Sequence, residues 1–276
     1  MKFKLIYIFL FALSKIPLQV LYAISKILLL LNSYTLKYRL KTINQNIDFS
    51  FPHLNKKEKN NFLYKFYINF FNVIMEIIKS ISFKKLDIIN RVKIINLIAI
   101  EKSIKKKKPI ILMAGHYSNW EWLLLRVSLI KNVNIGAVYK PLSNKFFNQI
   151  LLNIRSKFGA KLIPLNKWKY FILGKKNKSY IFMFVSDQVP ENTKNGIRIN
   201  FLNRSTLFHK GAEKTANLLN LDVFYTDMIK THKGYYTLEF KQLCSRNITQ
   251  EYTTLLEQTI KTMPENWLWS HNRWKR

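Results

Sequence analysis

Ile110-Ile111-Leu112-Met113-Ala114-Gly115-His116-Tyr117-Ser118-Asn119-Trp120-Glu121 reads as an apolar strand, a turn led by glycine, and the opening of an apolar helix. A short apolar run that stops at a glycine fits a strand covered on both faces. In open α/β sheets, ligands collect at the carboxyl ends of strands, where the next helix also points its free N–H groups outward. His116 stands at such an end, so this stretch predicts both the fold class and the place to look for chemistry.

Outward from it, β-rich runs at Ile135 to Tyr139, Lys161 to Pro164, Tyr180 to Val185, Ile197 to Phe201, Val223 to Met228 and Tyr235 to Phe240 join the run Ile110 to Ala114. Helical patterns alternate with them at Trp120 to Ile130, Lys145 to Phe158, Phe208 to Leu219 and Ile248 to Thr262. This alternation implies an α/β sheet with helices packed on it. Upstream, Asn55 with Glu58 three residues later matches a helix start, and Phe62 to Ile81 carries apolar pairs at helical spacing, which predicts one long amphipathic helix. No internal repeat and no Pro- or Gly-rich linker marks a second folded unit.

The chain has 276 residues, 48% of them hydrophobic and 14% aromatic, with seven Gly and seven Pro. That composition supports a sizeable core and excludes a disordered basic tail, a collagen or a low-complexity linker. The lone Cys244 offers neither an internal disulfide nor a cysteine-based zinc site, which fits a reducing compartment. Against 46 Lys and Arg stand 15 Asp and Glu, a formal charge of +31. Such a charge attracts anions of every kind, including nucleic acid, anionic lipid headgroups and acidic proteins. The run Lys105 to Lys108 fits a solvated connection after a helix better than a phosphate clamp, since an apolar strand follows at once.

From Leu5 to Leu31 the chain is almost wholly apolar, interrupted by Lys15, Pro17, Gln19 and Lys26. A spanning helix wants about 20 predominantly apolar residues with few charges, so two Lys and a Pro leave a tilted or interfacial anchor and a full span both open. A buried first helix is the bland alternative. The expected organisation is a hydrophobic membrane anchor over 1–35 followed by a single domain over 36–276.

Two of the five histidines have a Glu five positions on, His116 with Glu121 and His53 with Glu58. His53 follows Phe51-Pro52 and leads into a Lys-rich helix start, where Glu58 serves as a cap. On a regular helix, five residues turn two side chains about 140° apart. His116 and Glu121 therefore meet only if His116 lies in the turn before the helix and Glu121 in its first turn. Glu121 would then hold the imidazole in its productive tautomer while His116 acts as general base. The competing reading is a capping box, Ser118-x-x-Glu121, in which Glu121 satisfies backbone donors. No Gly-x-Ser-x-Gly elbow, phosphate-binding loop or dinucleotide fingerprint is present, and His spacing gives no metal set.

The segment Gly115 to Glu121 resembles the active-site segment of the lipid A biosynthesis lauroyl and myristoyl acyltransferases, within the lysophospholipid acyltransferase-like superfamily, whose motif is His, four residues, then Asp or Glu. The likeness extends through Val138-Tyr139-Lys140 with Asn144, Arg155 before Gly159, Asp187-Gln188, Gly196-Ile197 to Phe201, and Gly211-Ala212-Glu213. It closes on Pro264-Glu265-Asn266-Trp267-Leu268-Trp269-Ser270-His271-Asn272-Arg273-Trp274-Lys275, which is similar to the family's C-terminal signature.

The resemblance implies a glycerol-phosphate acyltransferase-like α/β domain with a mixed, mostly parallel central sheet flanked by helices. It implies an acyltransferase on the cytoplasmic face of the cell inner membrane, moving a fatty acyl group from acyl carrier protein to a hydroxyl of a lipid A precursor late in lipid A acylation. His116 and Glu121 would be catalytic; Arg155, Asp187, Gln188 and Arg273 would contact substrate or an oxyanion. No cofactor, metal or nucleic-acid partner is expected. Two departures stand out: Phe208-His209 occupies a place where the family commonly carries a small residue or Thr, and the acidic partner is Glu rather than Asp. They leave open an ornithine-type or other lysolipid acceptor. The rival from another class is a basic membrane- or nucleic-acid-binding protein without catalysis, supported by charge and interspersed aromatics alone.

Overall fold

In a computed structural model that describes residues 2–175, 178–190 and 196–274, the strand leading to His116 is the middle of a seven-stranded sheet. In chain order the strands are β1 (Val92–Ile94), β2 (Pro109–Ala114), β3 (Asn134–Tyr139), β4 (Lys161–Pro164), β5 (Tyr180–Val185), β6 (Gly196–Phe201), β7 (Arg204–His209), β8 (Val223–His232) and β9 (Tyr235–Leu243). The large sheet has the order β1-β9-β8-β2-β5-β3-β4, and β6 with β7 forms a separate hairpin. All neighbours in the large sheet run parallel except β8 and β9. Every residue of β2 is buried. Ile110, Leu112 and Ala114 face one core and Ile111 and Met113 the other, which is why the strand reads as a continuous apolar run. The expected α/β class with a mostly parallel mixed sheet is the fold observed.

The helices are α1 (Lys2–Lys15), α2 (Leu18–Leu31), α3 (Leu40–Ser50), α4 (Lys56–Lys79), α5 (Lys85–Arg91), α6 (Ile98–Lys105), α7 (Trp120–Val127), α8 (Lys145–Ser156), α9 (Trp168–Leu173), α10 (Gly211–Leu219) and α11 (Ile248–Thr262). The long helix α4 starts where its cap predicts. Asn55 Oδ1 accepts from the Glu58 N–H at 3.0 Å, and Glu58 Oε2 accepts from the Asn55 N–H at 2.9 Å.

The expected helix from Phe208 to Leu219 begins instead at Gly211, because Phe208 and His209 belong to β7. Thr206 and Phe208 are buried in alternation with more exposed neighbours, a strand period that the following helical pattern hid. The β6–β7 hairpin turns on Leu202 and Asn203, both at positive φ. A two-residue turn of this kind normally announces itself as Asn-Gly or Asp-Gly, and here Leu takes the first place with its side chain buried.

Pro17 separates α1 from α2. Leu18, Leu21, Tyr22, Ser25 and Leu29 make a buried stripe on α2, packed on α4, while Val20, Ile27, Leu30 and Leu31 remain exposed, as do Leu5, Ile8 and Phe9 on α1. Leu18, Leu21 and Tyr22 join the same core as β2. Lys79 Nζ ties the end of α1 to α4 by donating to the Ser14 and Ile16 carbonyls at 2.9 and 2.8 Å. Among the described residues one helical stretch, Leu18–Leu36, is long and apolar enough to cross a membrane, with a third of its best window buried in the protein.

Candidate active site

The parallel register sets β2 beside β5, so both strands end at one edge and the Ser186 N–H reaches the Ala114 carbonyl at 2.9 Å. This places Asp187, 71 positions away in sequence, against His116. Asp187 Oδ1 lies 2.6 Å from His116 Nδ1, and Asp187 Oδ2 accepts from the His116 backbone N–H at 2.9 Å. The Trp267 indole N–H donates to the same Oδ2 at 2.7 Å. Burial by itself would push the Asp187 carboxyl up. The His116 ring, the two His116 bonds and the Trp267 bond outweigh it and bring the group down to about 2.

The expectation that Glu121 orients His116 is therefore corrected by geometry: the carboxylate on Nδ1 is that of Asp187. Glu121 faces Arg155 instead. Arg155 on α8 forks onto it, Nε donating to Oε2 at 2.8 Å and Nη2 to Oε1 at 2.6 Å, and the Trp120 indole N–H adds a bond to Oε1 at 3.1 Å. Burial would raise Glu121, but the Arg155 charge and hydrogen bonds outweigh it and hold the carboxyl below its ordinary range; the same pair raises Arg155. Nor does Glu121 complete a capping box. The cap of α7 is Asn119, whose Oδ1 accepts from the Trp122 N–H at 3.0 Å, and Ser118 precedes it at a φ of 52°.

His116, Glu121, Arg155 and Gln188 all line one cavity of about 710 Å³, together with Trp120, His209 and apolar groups from β3 and β5. The Gln188 amide nitrogen lies 3.2 Å from His116 Nε2. In a neutral ring, an acceptor at Nδ1 and a donor at Nε2 favour the tautomer with its proton on Nδ1, and the Nε2 lone pair then faces Gln188 at the cavity wall. Trp120 stands edge to face with the imidazole, ring centres 5.2 Å apart.

Arg273 is not brought to the cavity wall. It is buried, donates from Nη2 to the Leu207 carbonyl at 2.6 Å, and lies over the Phe208 ring at 4.5 Å. Burial brings its guanidinium down to about 10, against the pull of Asp187 and Tyr252. It fastens the β6–β7 hairpin to the tail. The rest of the C-terminal signature braces the turn at His116: the Leu268 N–H donates to the His116 carbonyl at 3.0 Å and the Ser118 N–H to the Asn266 carbonyl at 2.9 Å. Lys275 of that signature lies outside the described residues. Sequence reasoning missed Trp267 as the partner of Asp187; its signal was a tryptophan inside a signature rich in polar residues. A Cβ at Gly115 would stand 2.6 Å from Leu256 Cδ1, so a larger residue there would displace the end of that side chain.

Such a site holds an imidazole oriented by a carboxylate beside a buried Glu–Arg pair, in a cavity large enough for a sizeable organic substrate. Among the described residues no group of three or more His, Cys, Asp or Glu is arranged to hold a metal ion. No curated protein matches the chain. The family model of the bacterial lipid A biosynthesis acyltransferases matches residues 2–276, and with coverage of that extent the chain belongs to this family of acyltransferases.

Proposed function

We propose that this acyltransferase moves a fatty acyl group from the thioester of acyl carrier protein to a hydroxyl of a lipid A precursor, late in lipid A acylation, at the cytoplasmic face of the inner membrane. The observation that carries the reading is His116, with Nδ1 committed to buried Asp187 and Nε2 turned to the cavity. His116 Nε2 takes the proton of the acceptor hydroxyl as its oxygen attacks the thioester carbonyl. The tetrahedral adduct then collapses, the carbon–sulfur bond breaks, and the imidazolium returns the proton to the departing thiolate. No covalent acyl-enzyme is formed. Asp187 holds the ring and stabilises the imidazolium. Glu121 takes up two of the five N–H donors of Arg155 and so aims the remaining ones at the cavity, where they serve the carbonyl oxygen as it gains charge.

The formal charge of +31 supports an acidic carrier protein and a phosphorylated glycolipid as partners. The exposed apolar faces of α1 and α2 support seating on a bilayer. His209 on the cavity wall favours, as a second reading, an ornithine-type or other lysolipid acceptor with the same chemistry.

Mass spectrometry of total lipids from cells carrying the wild-type chain or His116→Ala, at matched protein levels, tests this. Loss of one acyl group from lipid A in the mutant supports the proposal, and loss from another lipid class moves the acceptor to the second reading. In purified protein, His116→Ala lowers the rate about 10²- to 10⁴-fold. A mutant retaining more than a tenth of the activity overturns the assignment of the base.

A further inference from the structure

Behind the catalytic turn lies a buried carboxylate that acyl transfer does not use. Glu76, in the last turn of α4, is fully buried. Its Oε1 accepts from the Tyr22 hydroxyl at 2.7 Å, and its Oε2 accepts from the Tyr236 hydroxyl at 2.6 Å and from Asn119 Nδ2 at 2.8 Å. Its backbone carbonyl accepts from the Trp122 indole N–H at 3.1 Å.

These donors come from three different elements. Tyr22 is on α2, the helix with an exposed apolar face. Tyr236 is on β9, next to the hairpin turn at Gly234 that packs on α2. Asn119 is the cap of α7, three positions after His116 and two before Glu121. Both ends of the Asn119 amide are committed, Oδ1 to the Trp122 N–H and Nδ2 to Glu76, so the start of α7 has one orientation. A buried carboxylate is a costly way to fill space, and apolar groups of similar volume commonly serve a core as well or better. A fully satisfied buried network does what apolar packing does less well: it selects one geometry.

We propose that Glu76 is a positioning residue that ties the seat of α2 on the protein to the turn presenting His116, so that turnover depends on α2 being docked. The inference rests on the acyl-transfer reading of His116. Moving α2 shifts the Tyr22 hydroxyl, the carboxylate follows, and Asn119 carries the displacement into the turn. Because a small misplacement of a reacting group costs rate rather than affinity, the effect falls on kcat.

The test uses full-length protein in detergent with three variants: Glu76→Gln, Tyr22→Phe and Asn119→Ser. The last keeps a good helix cap while withdrawing the amide from Glu76. Three quantities are read: kcat and KM with an acyl carrier thioester and lipid acceptor, the melting temperature, and the rate of His116 carbethoxylation by diethyl pyrocarbonate, resolved from the other histidines by peptide mass spectrometry. The expected result in Tyr22→Phe and Asn119→Ser is kcat lower by roughly tenfold to a hundredfold, with KM changed less than about twofold. His116 carbethoxylation changes while that of His53 does not. A lower melting temperature with unchanged kcat per folded molecule and unchanged His116 reactivity overturns the proposal and leaves Glu76 a purely fold-stabilising group. If the wild type transfers no acyl group to these substrates, the function reading fails separately, and His116 reactivity alone decides: altered in the variants it supports the coupling, unaltered it overturns it. Should Glu76→Gln not fold, the other two variants carry the decision.

Discussion

Protonating Asp187 removes the partner of His116, and the sign of its effect on stability follows from its depressed titration. The group sits at about 2 in the folded protein against an ordinary 3.8. It therefore stabilises the fold above the ordinary value by ~2 kcal/mol, and that contribution fades as the pH falls from there through the folded value. Urea unfolding across this acid range should show the loss in the wild type and a flatter profile in Asp187→Asn. At the Glu121–Arg155 pair, side chains only 3% and 20% exposed carry opposite charges. Arg155→Met leaves the carboxylate buried without its cation and should cost about 3–5 kcal/mol. The double variant Glu121→Met with Arg155→Met should recover most of that stability without recovering turnover. Equal melting of Arg155→Met and the double variant would show that the unpaired carboxylate is not what destabilises the single variant.

At the scale of elements, the C-terminal segment after α11 is a brace. Its backbone pins the turn at His116 and Ser118, and its Trp267 reaches Asp187. Trp267→Phe keeps most of the ring volume but removes the N–H. Withdrawing a hydrogen bond from a buried charge should cost about 1.5–3 kcal/mol, and the looser carboxylate should lower kcat more than it raises KM. Equilibrium unfolding and steady-state kinetics on one preparation check both. The sequence announced the strands through apolar runs, and seven were placed with ends shifted by a residue or two or extended, as in β8 and β9. The three-residue edge strand β1 and the hairpin strand β7 were not announced: one is too short to show a period, and the other turns on Leu202-Asn203 without a glycine.

At the scale of the molecule, α1 and α2 differ although both are apolar. α2 gives buried Leu18, Leu21 and Tyr22 to the core, whereas the described apolar side chains of α1 are exposed or only partly buried. A truncation that starts at Pro17 should fold and bind vesicles more weakly. One that starts at Asn32 uncovers the α4 face and should lose the cooperative melt. Circular dichroism with vesicle sedimentation distinguishes the two, and a folded product from the shorter chain would show that α2 is an appendage rather than part of the core.

The sequence by itself determined the strand-turn-helix around His116, the cap that starts α4, the α/β class and the family, because those signals are local: apolar period, turn chemistry and short motifs. Only the tertiary structure decided which carboxylate serves His116. Spacing along the chain favoured Glu121, five residues away, whereas the parallel register of β2 with β5 carried Asp187 to the ring and left Glu121 to Arg155. It likewise took Arg273 out of the cavity and gave Glu76 its three donors. Contacts between residues far apart in sequence depend on strand order and register, and no linear pattern records those.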